Sequence, residues 1–265
     1  MAPSDEQDEQ QPGRPVALVT GVGRTVGIGA AIARQLATDG WDVATTSWGP
    51  YDDRMPWRRE PDAPRQIAEE LRRLGAMTTA VPADLSDVRA PAEVFDAVHA
   101  ALGAVTALVL CHCESVDSGL LDTTVESFDR HYAVNVRGSW LLVKEFAERY
   151  PLDAVESGRG RVVALTSDAV VGNVAYGATK GALDRLVIAA ARELAHLGVS
   201  ANVINPGPVD TGWMSDELRA EVRAATPLGR GGTPGDTAAL VSFLCSPAGG
   251  WVNGQLLCSD GGLHG

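Results

Sequence analysis

Cysteine is scarce, with four in 265 residues, too few for the disulfide framework that staples a small secreted scaffold. Basic charge is outnumbered: 22 Lys and Arg stand against 34 Asp and Glu, a formal net charge of −12. Such a chain offers no broad basic face to a nucleic-acid backbone, so nucleic acid is excluded as a partner and any phosphate must be met by local geometry. No apolar run approaches the roughly 20 residues that cross a bilayer, so no membrane span is expected. The first fourteen residues, including Asp5, Glu6, Asp8 and Glu9, lack both hydrophobic periodicity and the apolar core of a secretory signal. Residues 1–14 are therefore expected to be a disordered acidic tail. Cys111-His112-Cys113 follows an apolar strand and has no second ligand pair nearby, so no metal is expected either. A reduced, cytoplasmic protein is the simplest expectation from these absences.

What is present is a globular composition, 45% hydrophobic and 21% charged, and a length suited to one α/β domain over residues 15–265. Apolar runs typical of buried parallel strands alternate with helical patterns. The expected strands are Val16–Thr20, Asp42–Thr46, Thr78–Pro82, Ala107–Cys111, Arg161–Thr166, Ser200–Ile204 and Gln255–Cys258. The expected helices cover about 28–39, 63–75, 89–102, 124–149, 174–197 and 235–246. This order predicts a single-domain, Rossmann-like, doubly wound fold, with a seven-stranded parallel sheet flanked by helices. Right-handed crossovers then put Thr20-Gly21, Cys111, Ser167 and Asn205 along one sheet edge. Two stretches, Ser47–Pro64 and Pro208–Pro227, read as long irregular excursions, and the second as a lid beginning at Trp213 and Met214.

Tyr176 and Lys180, in Tyr176-Gly177-Ala178-Thr179-Lys180, are one helical turn apart, so an ammonium can stabilise a phenolate on the same face. The pair alone fits an ordinary solvated helix. Its context is what matters: Val16-Ala17-Leu18-Val19-Thr20-Gly21 leads into Gly27-Ile28-Gly29, and Asn205-Pro206-Gly207 and Asp260-Gly261-Gly262 follow downstream. Over residues 15–262 the chain resembles the short-chain dehydrogenase/reductase family of nicotinamide enzymes. The resemblance implies Tyr176 as general acid and base, Lys180 lowering its pKa and binding the nicotinamide ribose, and Ser167 on the substrate oxygen. It implies Asn135 as holder of a water that relays protons to the lysine. It also implies a homotetramer or homodimer, and a small-molecule ketone or secondary alcohol as substrate, much as in 3-oxoacyl-carrier-protein reductases.

Glycines between the first strand and first helix let a phosphate approach the backbone at a helix N-terminus. Gly21, Gly23, Gly27, Ile28 and Gly29 fit that role, although the turn is two residues longer than the family's usual T-G-x-x-x-G-x-G. Such lengthening is similar to the enoyl-carrier-protein reductase branch, which places its lysine seven residues after the tyrosine. Position 183 is Leu, so the Tyr176/Lys180 spacing favours a carbonyl enzyme. No acid for an NAD ribose stands in Thr45-Thr46-Ser47-Trp48, and Arg24 can meet a 2′-phosphate. NADP(H) is therefore the preferred cofactor, with NAD(H) as the other candidate. Further cofactor contacts are implied at Ser47, Asp84, Leu85, Tyr176, Lys180, Pro206, Gly207, Val209 and Thr211. Asp84 also fits a helix cap.

Two departures from the family pattern stand out. Leu110-Cys111-His112-Cys113 replaces the usual N-N-A-G, so the sheet edge must be braced by other groups. Ser167 lies nine residues before Tyr176 rather than thirteen, which implies a shortened loop and a reshaped substrate pocket. These departures keep open a second reading, a nucleotide-binding regulatory or scaffold protein of this fold with altered catalysis.

Overall fold

The structure is a computed structural model that describes residues 13–264. Most of the expected tail lies outside the described residues. Arg14, at its end, is anchored, donating to the carbonyls of Gly75, Ala37 and Trp41 at 2.7–3.0 Å.

Seven parallel strands form one sheet in the order β3-β2-β1-β4-β5-β6-β7. They are β1 (Val16–Thr20), β2 (Asp42–Ser47), β3 (Thr78–Pro82), β4 (Val105–Leu110), β5 (Gly160–Leu165), β6 (Val199–Asn205) and β7 (Leu256–Cys258). β1, β5 and β6 are buried along their whole length, because helices cover both faces. One face packs Leu18, Leu108, Leu142, Phe146 and Leu183; the other packs Val19, Ile32, Leu36, Ile67, Val163 and Leu244. Each fully buried side chain of this kind contributes about 1.5–3 kcal/mol. Chain order reverses between β1 and β4, and that switch point opens the crevice in which such sheets bind ligands.

The helices are α1 (Ile28–Thr38), α2 (Gly49–Asp53), α3 (Ala63–Arg73), α4 (Ala90–Leu102), α5 (Val125–His131), α6 (Ser139–Glu148), α7 (Val174–Glu193), α8 (Asp216–Ala225) and α9 (Pro234–Cys245). The expected helix over 124–149 is continuous but not uniform: a π-helical stretch, Tyr132–Gly138, joins α5 to α6. Gly138 belongs there because a β-carbon would lie 2.6 Å from the Leu85 carbonyl oxygen.

Both stretches read as irregular contain a helix. In Ser47–Pro64 it is the short α2, begun by Pro50 in its first turn. In Pro208–Pro227 it is α8, whose N-terminus is capped by Ser215 accepting from the Leu218 N–H at 3.2 Å. α8 fully buries none of its residues; Leu218 and Val222, one turn apart on one face, are only partly covered. Met214 just before it is buried, whereas Trp213 is half exposed and donates its indole N–H to the Val209 carbonyl at 2.9 Å.

Candidate active site

The carboxyl ends of the strands open into a cleft of about 890 Å³. Its walls include Gly21, Gly23, Arg24, Gly27, Ile28, Gly29, Ser47, Asp84, Leu85, Ser167, Tyr176, Pro206, Gly207, Val209 and Thr211. Of the residues expected at the site, only Asn135 and Lys180 do not line it; both are buried behind its wall.

The turn after β1 fits a dinucleotide. Gly21 has φ 73°, and a β-carbon there would lie 2.7 Å from the Cys111 carbonyl oxygen, so only glycine lets the turn pass this close to the end of β4. α1 starts at Gly27 with no side-chain cap and no acid in its first turn, leaving its N–H groups and positive dipole end for an anion.

At the other end of the cleft, Tyr176 and Lys180 project from one face of α7, and the Lys180 Nζ lies 5.4 Å from the phenol ring centre. The ammonium donates to the Leu165 carbonyl at 2.8 Å, which ties α7 to the end of β5. Desolvation, then the neighbouring Cys113, pushes the Tyr176 phenol above its ordinary value, and a hydrogen bond with Ser167 opposes them. The direction is therefore opposite to the lowering expected from Lys180, because the protein's own groups desolvate the phenol while the ammonium is turned to a carbonyl. Despite the short spacing, Ser167 lines the same cleft as the tyrosine. The Ser167 hydroxyl accepts from the Ala169 N–H at 3.1 Å, which folds the abbreviated loop back on itself.

Asn135 sits in the π-helical stretch, a feature often found at functional sites. Its Oδ1 accepts from the Glu114 N–H at 2.7 Å, and its Nδ2 donates to the Glu114 carbonyl and to Thr179 Oγ1, each at 2.9 Å. The amide thus clamps the loop after β4 to α7. His112 and His131 supply the rest of the bracing. His112 Nε2 faces the Val134 carbonyl at 3.2 Å, an atom that can only accept, so Nε2 carries the proton and Nδ1 accepts from the Thr20 hydroxyl at 2.7 Å. Desolvation, then the charge of Lys180, holds this imidazole down to about 3. It is a neutral strut between β1 and the π-helical stretch. His131 accepts from the Val116 N–H at 3.1 Å and pins the same loop further along.

Other side chains at the cleft were not legible in the sequence. Glu114 is buried and pairs with Arg54 at 2.9 Å and Arg130 at 3.4 Å. Arg130 also holds Asp84 at 3.1 Å and stacks 4.5 Å from the Trp48 ring centre. Burial acts upward on Asp84, but Arg130 and Ser86 outweigh it and hold the carboxyl below its usual range. Asp84 does not cap the next helix, since α4 starts after Arg89 with no side-chain cap; it closes a local turn, accepting from the Ser86 N–H at 3.0 Å, and is an ion-pair partner. His264 is held between Asp260 and Asp168 beside Ser167. The hydrogen bond with Asp260 raises its pKa, burial opposes, and Asp168 adds to the rise. Arg24 is already engaged: it donates to the Thr211 carbonyl at 2.8 Å and lies 4.7 Å from the Trp57 ring centre.

A glycine turn at a helix start, facing a Ser, Tyr and Lys set across the switch point, agrees with the comparisons. The family model described as enoyl-(acyl carrier protein) reductase matches residues 21–264. The uncharacterized oxidoreductase YjdA of Bacillus subtilis is 36% identical over 252 residues, covering 94% of this chain and 96% of its own length. This chain belongs to the short-chain dehydrogenase/reductase family. Within the family, the chloroplastic NADPH-dependent aldehyde reductase-like protein of Arabidopsis thaliana is 34% identical over 259 residues, covering 93% of each chain. The structure of a short chain dehydrogenase from Burkholderia cenocepacia in complex with NADP superposes with a TM-score of 0.81 at 32% identity, covering 95% of this chain and 97% of that one. Among the described residues, no helix is long and apolar enough to cross a membrane, and no group of three or more His, Cys, Asp or Glu could hold a metal ion.

Proposed function

We propose that this oxidoreductase interconverts a ketone and a secondary alcohol with NADP(H), in the manner of 3-oxoacyl reductases. The observation that carries the reading is that Ser167 and Tyr176 line one cleft, with Lys180 behind them and the glycine turn opposite. The relative named NADPH-dependent and the neighbour solved with NADP support the choice of cofactor. So does β2, which ends without an acid at Ser47.

When bound, the nicotinamide supplies or accepts the hydride. Tyr176, its phenol kept protonated by desolvation, donates a proton to the carbonyl oxygen as negative charge develops there. Ser167 hydrogen-bonds the same oxygen and polarises it. Lys180 supplies fixed positive charge behind the phenol once the proton has left. Asn135 keeps α7 and the loop after β4 in register, so that the three groups stay aimed at one point. The glycine turn, with Pro206, Gly207, Val209 and Thr211, holds the two ends of the cofactor. A carbonyl rather than an enoyl substrate follows from Lys180 standing one turn after Tyr176, while Leu183 is buried in the core.

A homotetramer is part of the proposal, supported by the exposed apolar side chains of Val125, Phe128, Tyr132 and Trp140 along α5 to α6. Sedimentation at micromolar concentration tests it, and a monomer would reject it. The activity is tested by following NADPH oxidation over a panel of ketones that includes acyl thioesters, with NADH in parallel. Turnover with NADPH on at least one ketone is expected. Faster turnover with NADH would reverse the cofactor choice, and binding without turnover on any ketone would favour the regulatory reading.

A further inference from the structure

The two residues by which the glycine turn exceeds the family spacing lie in the stretch that grips the excursion after β2. The Thr25 N–H and hydroxyl both donate to Glu60 Oε2, at 3.1 and 2.7 Å. Arg24 lies over Trp57, with its Nε 3.8 Å from Glu60 Oε1. Deeper in the cleft, Asp52 is buried with Oδ2 against Gly23, where a β-carbon would lie 2.8 Å away. The Trp57 indole N–H donates to Asp52 Oδ1 at 2.9 Å. Two carboxylates of one segment therefore rest on the turn whose backbone is built for anions.

We propose that Trp48–Glu60 is a strap latched onto the glycine-rich turn by Glu60, an internal carboxylate competitor that a dinucleotide phosphate displaces. The proposal rests on the dinucleotide reading of the cleft. The latch is made to open. Glu60 remains 36% exposed, so water replaces its lost contacts at little cost. Arg58 has φ 58° and is the only non-glycine residue among the described residues with positive φ, a conformation disfavoured for a side-chain-bearing residue and relieved on release. A phosphate outbids a carboxylate at the same donors because it carries more charge and more acceptor oxygens. Release also frees Arg24 and Thr25 for the incoming anion, so binding discriminates in favour of phosphate-rich ligands.

The test uses the full chain, its Glu60→Gln variant, and two probes, NADPH and 2′,5′-ADP. Titration by tryptophan fluorescence should show Glu60→Gln binding both probes about tenfold tighter than the parent, the scale of one charge-assisted contact. Brief trypsin treatment should cut the parent faster after Arg58 and Arg59 when either probe is present. Equal or weaker binding by Glu60→Gln would overturn the proposal. Protection of Arg58 and Arg59 by NADPH would overturn it too and make the segment a clamp over the bound cofactor. Absence of NADPH and 2′,5′-ADP binding to either protein would instead remove the dinucleotide reading, and the strap with it.

Discussion

At the reaction end of the cleft, Asn135 and Lys180 are 1% and 3% exposed and bond largely to main-chain atoms of neighbouring elements. At the glycine-turn end, Glu60, Arg24 and Trp57 hold one another through side chains that reach solvent. A buried bond to a backbone atom cannot be traded for water without cost, whereas an ion pair whose carboxylate reaches solvent, as Glu60 does, contributes less and exchanges more readily. The Tyr176 end of the cleft is therefore the more rigidly built, and the glycine-turn end has the contacts that exchange more readily.

The most severe way to break this comparison is at the proton donor. Tyr176→Phe should lower turnover by at least about three powers of ten while leaving NADPH affinity nearly unchanged, as it removes one hydroxyl and little packing. Steady-state assays with parallel cofactor titration would check it, and an active variant would remove the mechanism. Ser167→Ala should cost about two to three powers of ten in kcat, the size of losing one well-aimed donor to the developing oxyanion. A fully active variant would assign that donation to another group at the shortened loop.

Stability distinguishes the two ends next. Asn135→Ala strands the N–H and carbonyl of buried Glu114, so urea unfolding should show a loss of about 1–3 kcal/mol. Acid should find His112. Its folded value, about 3, lies below the unfolded one, so its contribution is present at neutral pH and is lost as pH falls from about 6.5 toward 3. His264, shifted upward, has the opposite sign and loses its contribution as pH rises through its folded value. Unfolding at pH 7.5 and 5 should therefore show less acid destabilisation in His112→Gln than in the parent. At the strap, Glu60→Gln should change stability by only about 0–1 kcal/mol, the scale of a solvent-accessible ion pair. A loss as large as that of Asn135→Ala would mean that the two ends are equally built in.

Much of this was legible along the chain because it depends on local pattern. Seven apolar runs of strand length and the alternation with helices predict the sheet, and its strand ends fall within two residues of the observed ones. The glycine turn, Tyr176/Lys180 and Asn205-Pro206-Gly207 are contiguous motifs, and the fold brings Gly21, Tyr176, Pro206 and Gly207 to the walls of one cleft, with Lys180 behind. Ser167 was expected at the cleft in spite of its spacing because it comes just after a buried strand, β5. α2 and α8 were not, since the first is only five residues long and the second offers only Leu218 and Val222 as a short, half-covered stripe. The π-helical stretch around Asn135 has no period of its own either, because it widens one turn inside a longer helical run.

What the sequence alone determined, then, is the architecture, which follows from hydrophobic period, while contiguous motifs named the residues proposed for the chemistry. The tertiary structure alone decided what those groups touch. Glu114 gains meaning only when Arg54, sixty residues upstream, and Arg130 come to its carboxylate. His112 becomes a strut only when Thr20 and Val134 stand on either side of it. Arg24, free on paper to meet a phosphate, is found spanning from Trp57 to Thr211. Charge and hydrogen-bond partners are set by distances in space, and no pattern along the chain encodes a distance between residues that are neighbours only after folding.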